Sequence, residues 1–204
     1  MVFCSHSATM KIMKAWLWLH NHIVAALVLL FLGNGVFGYG AAFAQDTAKL
    51  DELFTRLTTA TEGEAGRIER EIWLEWSKSG SPAMDLLLQR GRNAMEAGDT
   101  DAAIEHFTAL IDHDPAFAEG WNARATAYFT AGEFGPSIAD IAQTLTLNPR
   151  HFGAMSGMAT ILEQLGKPEQ ALKMLRTALA IHPHLAGVED AIKRLEKDAE
   201  GQEL

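Results

Sequence analysis

The chain has 204 residues, 48% of them hydrophobic, and 26 acidic side chains outweigh 17 basic ones for a net charge of −9. That balance excludes nucleic acid as a partner, because no basic patch offers the electrostatic footprint that phosphates require. Its one cysteine is Cys4, so disulfide and thiol chemistry are excluded from everything downstream, and the length suits one domain behind an export segment.

Residues 1–44 differ from the rest. They carry Lys11 and Lys14 and no acid, then an apolar run from Ile23 to Leu32, then small residues with Ala42 and Ala44 in an A-x-A arrangement. A positive start, an apolar stretch of this length and a small-residue site predict a secretory signal peptide over 1–44, cleaved to leave Gln45 first. The cleaved chain would be periplasmic or secreted, with no membrane insertion. The alternative is an N-terminal membrane anchor, since no Asp, Glu, Lys or Arg occurs from Ala15 to Gln45.

Residues 45–82 read as a helical hairpin. Leu50, Leu53, Phe54, Leu57 and Ala60 make one apolar stripe, "TEGEAG" interrupts it, and Ala65, Ile68, Ile72, Trp73 and Trp76 make a second. "SKSGSP" ends the hairpin, with Ser81 placed as N-cap and Pro82 in the first helical turn. The hairpin is expected to be a degenerate repeat or a cap. Leu74, off the stripe beside two tryptophans, makes an exposed aromatic ridge conceivable there. No alternating β-branched run occurs, so a sheet is not expected.

From residue 83 the sequence repeats itself. Pro115, Pro149 and Pro183 are 34 residues apart, as are Gly98, Gly132 and Gly166, then Ala103, Ser137 and Ala171, then Phe107, Ile141 and Leu175. A fixed period of this length marks stacked helix pairs. The units are 83–117, 118–151 and 152–185, each a helix A, a glycine turn, a helix B and a proline turn. Asp112, His113 and Asp114, which alone could suggest metal ligands, fall in such a turn and lack ligand spacing. Residues 186–204 make a capping helix and tail, with Val188, Ala191, Ile192, Leu195 and Ala199 on its apolar side.

The repeated positions resemble the tetratricopeptide repeat signature: Trp, Leu, Gly and Tyr on helix A, then Ala, Phe, Ala and Pro on helix B. The first unit supplies Leu87, Gly91, Ala103, Phe107 and Pro115, the second Trp121, Tyr128 and Pro149, and the third Ala171, Ala178 and Pro183. The second departs from the signature at Ala125 and Ser137. The resemblance implies an all-α, right-handed superhelical solenoid of antiparallel helix pairs, three repeats long, with the N-terminal hairpin and the C-terminal cap at its ends. Gly91, Phe107, Pro115, Trp121, Tyr128, Pro149, Ala171 and Pro183 are then packing residues, with Trp121, Tyr128 and Phe107 filling the space between repeats.

The family's helix A residues outside that signature line a concave groove that holds a partner segment. Mapped here, they include Leu88, Arg92, Glu119, Asn122, Ala123, Thr126, Phe129, Gly153, Ser156, Gly157 and Thr160. Arg92, Asn122, Thr126, Phe129, Ser156 and Thr160 are the expected contacts, Arg92 being the charge placed to meet an acid. The five places of the carboxylate clamp that some members use on chaperone tails hold Leu88, Arg92, Ala123, Gly153 and Gly157, so such a clamp is not expected. No G-x-S-x-G, H-E-x-x-H, C-x-x-C or P-loop occurs. The chain therefore reads as no enzyme, without cofactor or metal: an exported scaffold or adaptor that binds a protein or peptide in its groove. Two alternatives stand: a self-associating envelope component using the hairpin, or a binder of a small molecule or peptidoglycan fragment.

Overall fold

The computed structural model describes residues 37–202, and all nine elements among the described residues are helices. They are α1 (Phe37–Thr59), α2 (Glu62–Trp76), α3 (Pro82–Glu96), α4 (Thr100–His113), α5 (Ala118–Thr130), α6 (Phe134–Leu147), α7 (Phe152–Gln164), α8 (Pro168–Ile181) and α9 (Val188–Gln202). Most of the predicted export segment lies outside the described residues, and α1 runs unbroken through Ala44 and Gln45. The described residues up to Lys49 belong to one unit, and Leu50 onward forms the compact one that holds the core. No helix among the described residues is long and apolar enough to cross a membrane.

Helices α3–α4, α5–α6 and α7–α8 are the three antiparallel pairs. Each first helix ends at a left-handed glycine, with φ of 77° at Gly98, 77° at Gly132 and 68° at Gly166. The residue after each glycine donates its N–H five residues back, Asp99 to Ala94, Glu133 to Tyr128 and Lys167 to Leu162. This closure satisfies carbonyls that a helix end otherwise leaves bare, and it needs a residue without a Cβ at the turn.

Within each pair, a small residue on the first helix faces a large one on the second. A Cβ on Gly91 would lie 2.2 Å from the Phe107 ring, itself 1% exposed. In the next pairs Ala125 shares a core cluster with Ile141, and Ala159 shares one with Leu175. Where the ring shrinks to an aliphatic side chain, the glycine has grown to alanine, so summed volume is kept. Ser137, in place of the usual alanine, is fully buried but donates its hydroxyl to the Ala125 carbonyl at 2.8 Å.

Trp121 and Tyr128 are not the buried fillers that the signature suggests. Both are half-buried, and they flank Arg124, whose guanidinium carbon is 5.1 Å and 5.7 Å from their ring centroids. Positions 121, 124 and 128 share a face of α5. Asp140 holds Arg124 from α6 by two bonds of 2.7 and 3.0 Å, and Trp121 Nε1 donates to the Pro115 carbonyl. The tryptophan is thus retained at the rim by a cation and a carbonyl, and the seam between α3–α4 and α5 is filled by Leu88, Phe107, Leu110 and Ala123 instead.

The hairpin does not stack before α3 as an additional repeat. Its stripe of Leu53, Phe54, Leu57, Ala65, Ile68, Ile72 and Trp76 is buried with Phe152, Met155 and Ala178 of the third pair. Its interruption is narrower than "TEGEAG": α2 begins at Glu62, with the Glu64 carboxylate accepting the Thr61 N–H. In the turn before α3, Ser81 caps by backbone only, and Asp85 Oδ1 takes the Ser79 N–H and hydroxyl. At the other end α9 buries Val188 and Leu195 against Ala159, Leu162, Ala171, Leu172 and Leu175, with Arg194 bonded to Glu163.

The volume pairing predicts a rescue. Gly91→Ala gains about 1 kcal/mol of helix propensity but drives a methyl into a fully packed ring, which costs about 1–3 kcal/mol, and more where three ring atoms must move at once. Gly91→Ala should melt lower than wild type, and Gly91→Ala with Phe107→Leu should recover, since it recreates the pair at Ala159 and Leu175. Thermal melts followed by circular dichroism give the answer; a double variant no better than the single one would refute the pairing.

Candidate functional site

Helices α3, α5 and α7 form the inner face, and its first feature is a buried charge. The Glu119 side chain is 4% exposed and accepts three hydrogen bonds: from Arg92 Nη2 at 2.6 Å, Asn122 Nδ2 at 3.2 Å and His151 Nε2 at 3.2 Å. His151 Nδ1 accepts the Ala154 N–H at 3.0 Å, so its hydrogen sits on Nε2, facing Glu119. Arg92 also donates to Ser77 Oγ in the turn after α2. A carboxylate removed from water is tolerated only when so paired.

Arg92 is therefore corrected from a cation awaiting a partner's acid to the counter-ion of the chain's own Glu119. Asn122 shares that duty through one amide hydrogen. Leu88 and Ala123, mapped to the groove, are buried in the seam between α3 and α5. Glu119 was mapped to the groove but not among the expected contacts, since an acid at the start of a helix reads as a solvated residue.

The hairpin covers part of the same face. Trp76 stacks on His151 with centroids 4.2 Å apart, and Trp73 meets His151 and Phe152 edge-on at 5.3 and 5.7 Å. A Cβ on Gly153 would be 2.6 Å from the tip of the Trp73 indole. Arg150 bonds Asp51 at 2.7 Å and lies 4.3 Å from the Phe54 ring centroid, while His184 reaches the Ala60 carbonyl. The tryptophans are thus an internal seam, not an exposed ridge; Leu74 alone, 65% exposed, faces outward. His182 is fully buried at that seam, 3.4 Å from Glu69, with neither ring nitrogen hydrogen-bonded.

Beside Trp73 the face stays open. A cavity of about 150 Å³ is lined by Asn122, Ala125, Thr126 and Phe129 of α5, Ser137 and Ile141 of α6, and Gly153, Ala154, Gly157, Thr160 and Ile161 of α7. Four of the six expected contacts line it: Asn122, Thr126, Phe129 and Thr160. Arg92 and Ser156 do not, and Ser156 bonds back to the Phe152 carbonyl. Thr126 and Thr160 likewise donate to Asn122 and Ser156 carbonyls, which leaves their oxygens as acceptors at the rim. The floor of Ala125, Ile141, Ala154 and Ile161 was not foreseen as site, because apolar helix residues read as core. Among the described residues no group of three His, Cys, Asp or Glu could hold a metal ion.

The tetratricopeptide repeat model matches residues 88–149 and 123–186. A TPR repeat-containing protein of Rhizobium etli is 40% identical over 136 residues, covering 66% of this chain and 67% of that one. The small glutamine-rich tetratricopeptide repeat-containing protein 2 of Saccharomyces cerevisiae is 26% identical over 149 residues, 72% of this chain and 43% of that protein. Among solved structures, the Sgt2 TPR domain of Aspergillus fumigatus aligns with a TM-score of 0.57 at 18% identity, over 60% of this chain and 83% of that one. The first TPR of Spaghetti (RPAP3) bound to an HSP90 peptide aligns at 0.55 and 24%, over 57% and 93%.

Two expectations follow from the polar seam. Arg92→Ala strips Glu119 of its cation, and the loss should be about 1–3 kcal/mol, below the 3–5 of a fully buried pair because Arg92 is partly solvated. Urea unfolding measures it, and an unchanged midpoint would mean that His151 and Asn122 suffice. His182 is held below the ordinary histidine pKa, chiefly by burial, against the opposing pull of Glu69. Its neutral form is the one the fold prefers, so the stability it contributes is complete above the unfolded value near ~6.5 and is lost as pH falls below that. The melting temperature should drop between pH 7.5 and 5.5, and the drop should shrink in His182→Leu; an equal drop in that variant would assign the effect to other groups.

Proposed function

The chain belongs to the tetratricopeptide repeat family, and on that premise we propose that it is an exported, non-catalytic binding module that holds a protein segment on its inner face. The observation that carries this is the open cavity between α5 and α7, apolar at its floor and edged by Asn122, Thr126 and Thr160. Folds of the same class hold peptides, as in the RPAP3 structure with an HSP90 peptide and the Yersinia enterocolitica chaperone SycD with a peptide of the translocator YopD. An acidic chain terminus is not the favoured occupant here. Of the five clamp places only Arg92 is basic, and it is committed to Glu119.

Export rests on residues 1–44. Cleavage after Ala44 would shorten α1 but spare the core residues described, the first of which among the described residues is Leu53. Self-association through the hairpin has less support, because the apolar stripe it would use is already covered by the third helix pair.

A photo-crosslinking side chain at Thr126 or Thr160 should capture a protein that the same group at Glu105, exposed on α4, does not. The native chain should be recovered outside the cytoplasm with Gln45 first. Identical captures at Thr126 and Glu105 would remove the inner face as the binding site, and an intact N-terminus in the membrane fraction would replace export by anchoring.

A further inference from the structure

The two glycines on the inner side of α7 are one turn apart and meet different fates. Gly153 has a reason in the fold: the Trp73 indole occupies the place of its side chain. Gly157 has none. A Cβ there would meet only Ile141 Cδ1, at 3.8 Å, an ordinary contact. Glycine inside a helix is unfavourable relative to alanine, so an unneeded one is a cost without a packing return. Its effect is to leave the cavity over Gly157 open.

That cavity continues the interface which the hairpin already makes. Gly153 belongs to both, and residues four apart on a helix are about 6 Å apart along its axis. The aromatic row Trp76, Trp73 thus ends one turn short of Gly157, with room for one more ring. The volume, about 150 Å³, matches the dry apolar cavity size of ~150 Å³ that accommodates a benzene. Its walls suit a ring: Phe129, Ile141 and Ile161 are apolar, and Ser137 is satisfied internally. No charged side chain lines it, so a charged occupant would lose its water without compensation.

We infer that the space over Gly157 is an anchor pocket for a single phenylalanine side chain of a partner peptide that runs beside α2. The inference rests on the proposed binding role of the inner face and specifies its chemistry. The peptide backbone passes the rim, where the Thr126 and Thr160 oxygens accept its N–H groups, and the ring enters edge-on to Phe129. Gly153 joins the two: it lines the pocket and lies against the Trp73 indole of the hairpin.

The probe is N-acetyl-L-phenylalaninamide, with N-acetyl-L-lysinamide as control, titrated into the full chain while the amide signals of Thr126, Phe129 and Gly157 are followed by NMR. Saturable shifts with the phenylalanine probe alone are expected. Gly157→Leu, which fills the space with its own side chain, should melt at or above wild type and bind the probe at least tenfold more weakly. Gly157→Ala should fall between, and it carries the comparison if the leucine variant does not fold. Absence of saturable shifts in wild type, or equal affinity in wild type and the filled variant, would overturn the pocket. A crosslinked partner at Thr126 that survives in Gly157→Leu would overturn the anchor while leaving the inner face as a binding surface. A wild-type dimer that becomes monomeric in Gly157→Leu would give the pocket to a second copy and overturn the partner assignment.

Discussion

Each of the three repeat pairs closes on a small residue of its first helix packed with a large side chain of its second. Phe107 lies on Gly91 so closely that any side chain at 91 would enter its ring. The later pairs set Ala125 in one cluster with Ile141 and Ala159 in one with Leu175. Stacked repeats have no single centre; each is stabilised by its neighbours, so an error in one seam propagates to the next. The trade of volume between two positions keeps the seams alike while their residues differ.

The same device docks the hairpin. Trp73 lies on Gly153 as Phe107 lies on Gly91, a large side chain against a helix backbone. Around that contact the interface is unusually polar for a buried one. Glu119, His151 and His182 are all withdrawn from water, with Arg92 and Glu69 beside them. A buried ion pair adds little net stability over an apolar replacement but penalises any arrangement that leaves one member alone. Glu119 bonds to residues before it, Arg92, and after it, Asn122 and His151, so it registers the first repeat, the second and the hairpin turn against one another.

The surface proposed to bind a partner is what this arrangement leaves over. The hairpin occupies the side of the inner face nearest His151 and Phe152, and the open part lies between α5 and α7. Charge has been drawn inward: Arg92 to Glu119 and Arg124 to Asp140. What the open part presents is a neutral rim and an apolar floor. The proposed recognition there would rest on shape and on hydrogen bonds to hydroxyl and amide groups, which favours an uncharged segment over an acidic tail.

The sequence by itself determined the repeat length, the helix pairs, the glycine turns and the capping helix. All of these arise from neighbours along the chain or from one period to the next: a left-handed turn needs glycine at 98, 132 and 166, and an apolar stripe shows in the spacing of Val188, Ala191, Ile192 and Leu195. Four residues of the cavity rim were legible for the same reason, as helix A positions outside the packing signature. Only the tertiary structure decided where the hairpin goes, because the stripe of Ile68, Ile72 and Trp76 states that a face must be buried and not against which helix. It also decided that Arg92 is spent on Glu119 and that Trp121 rests at the rim under Arg124. Gly153 and Gly157 make the point most sharply. They are the same residue on the same side of one helix, and nothing local separates them; a tryptophan 80 residues earlier in the chain fills the space at one and leaves the space at the other open.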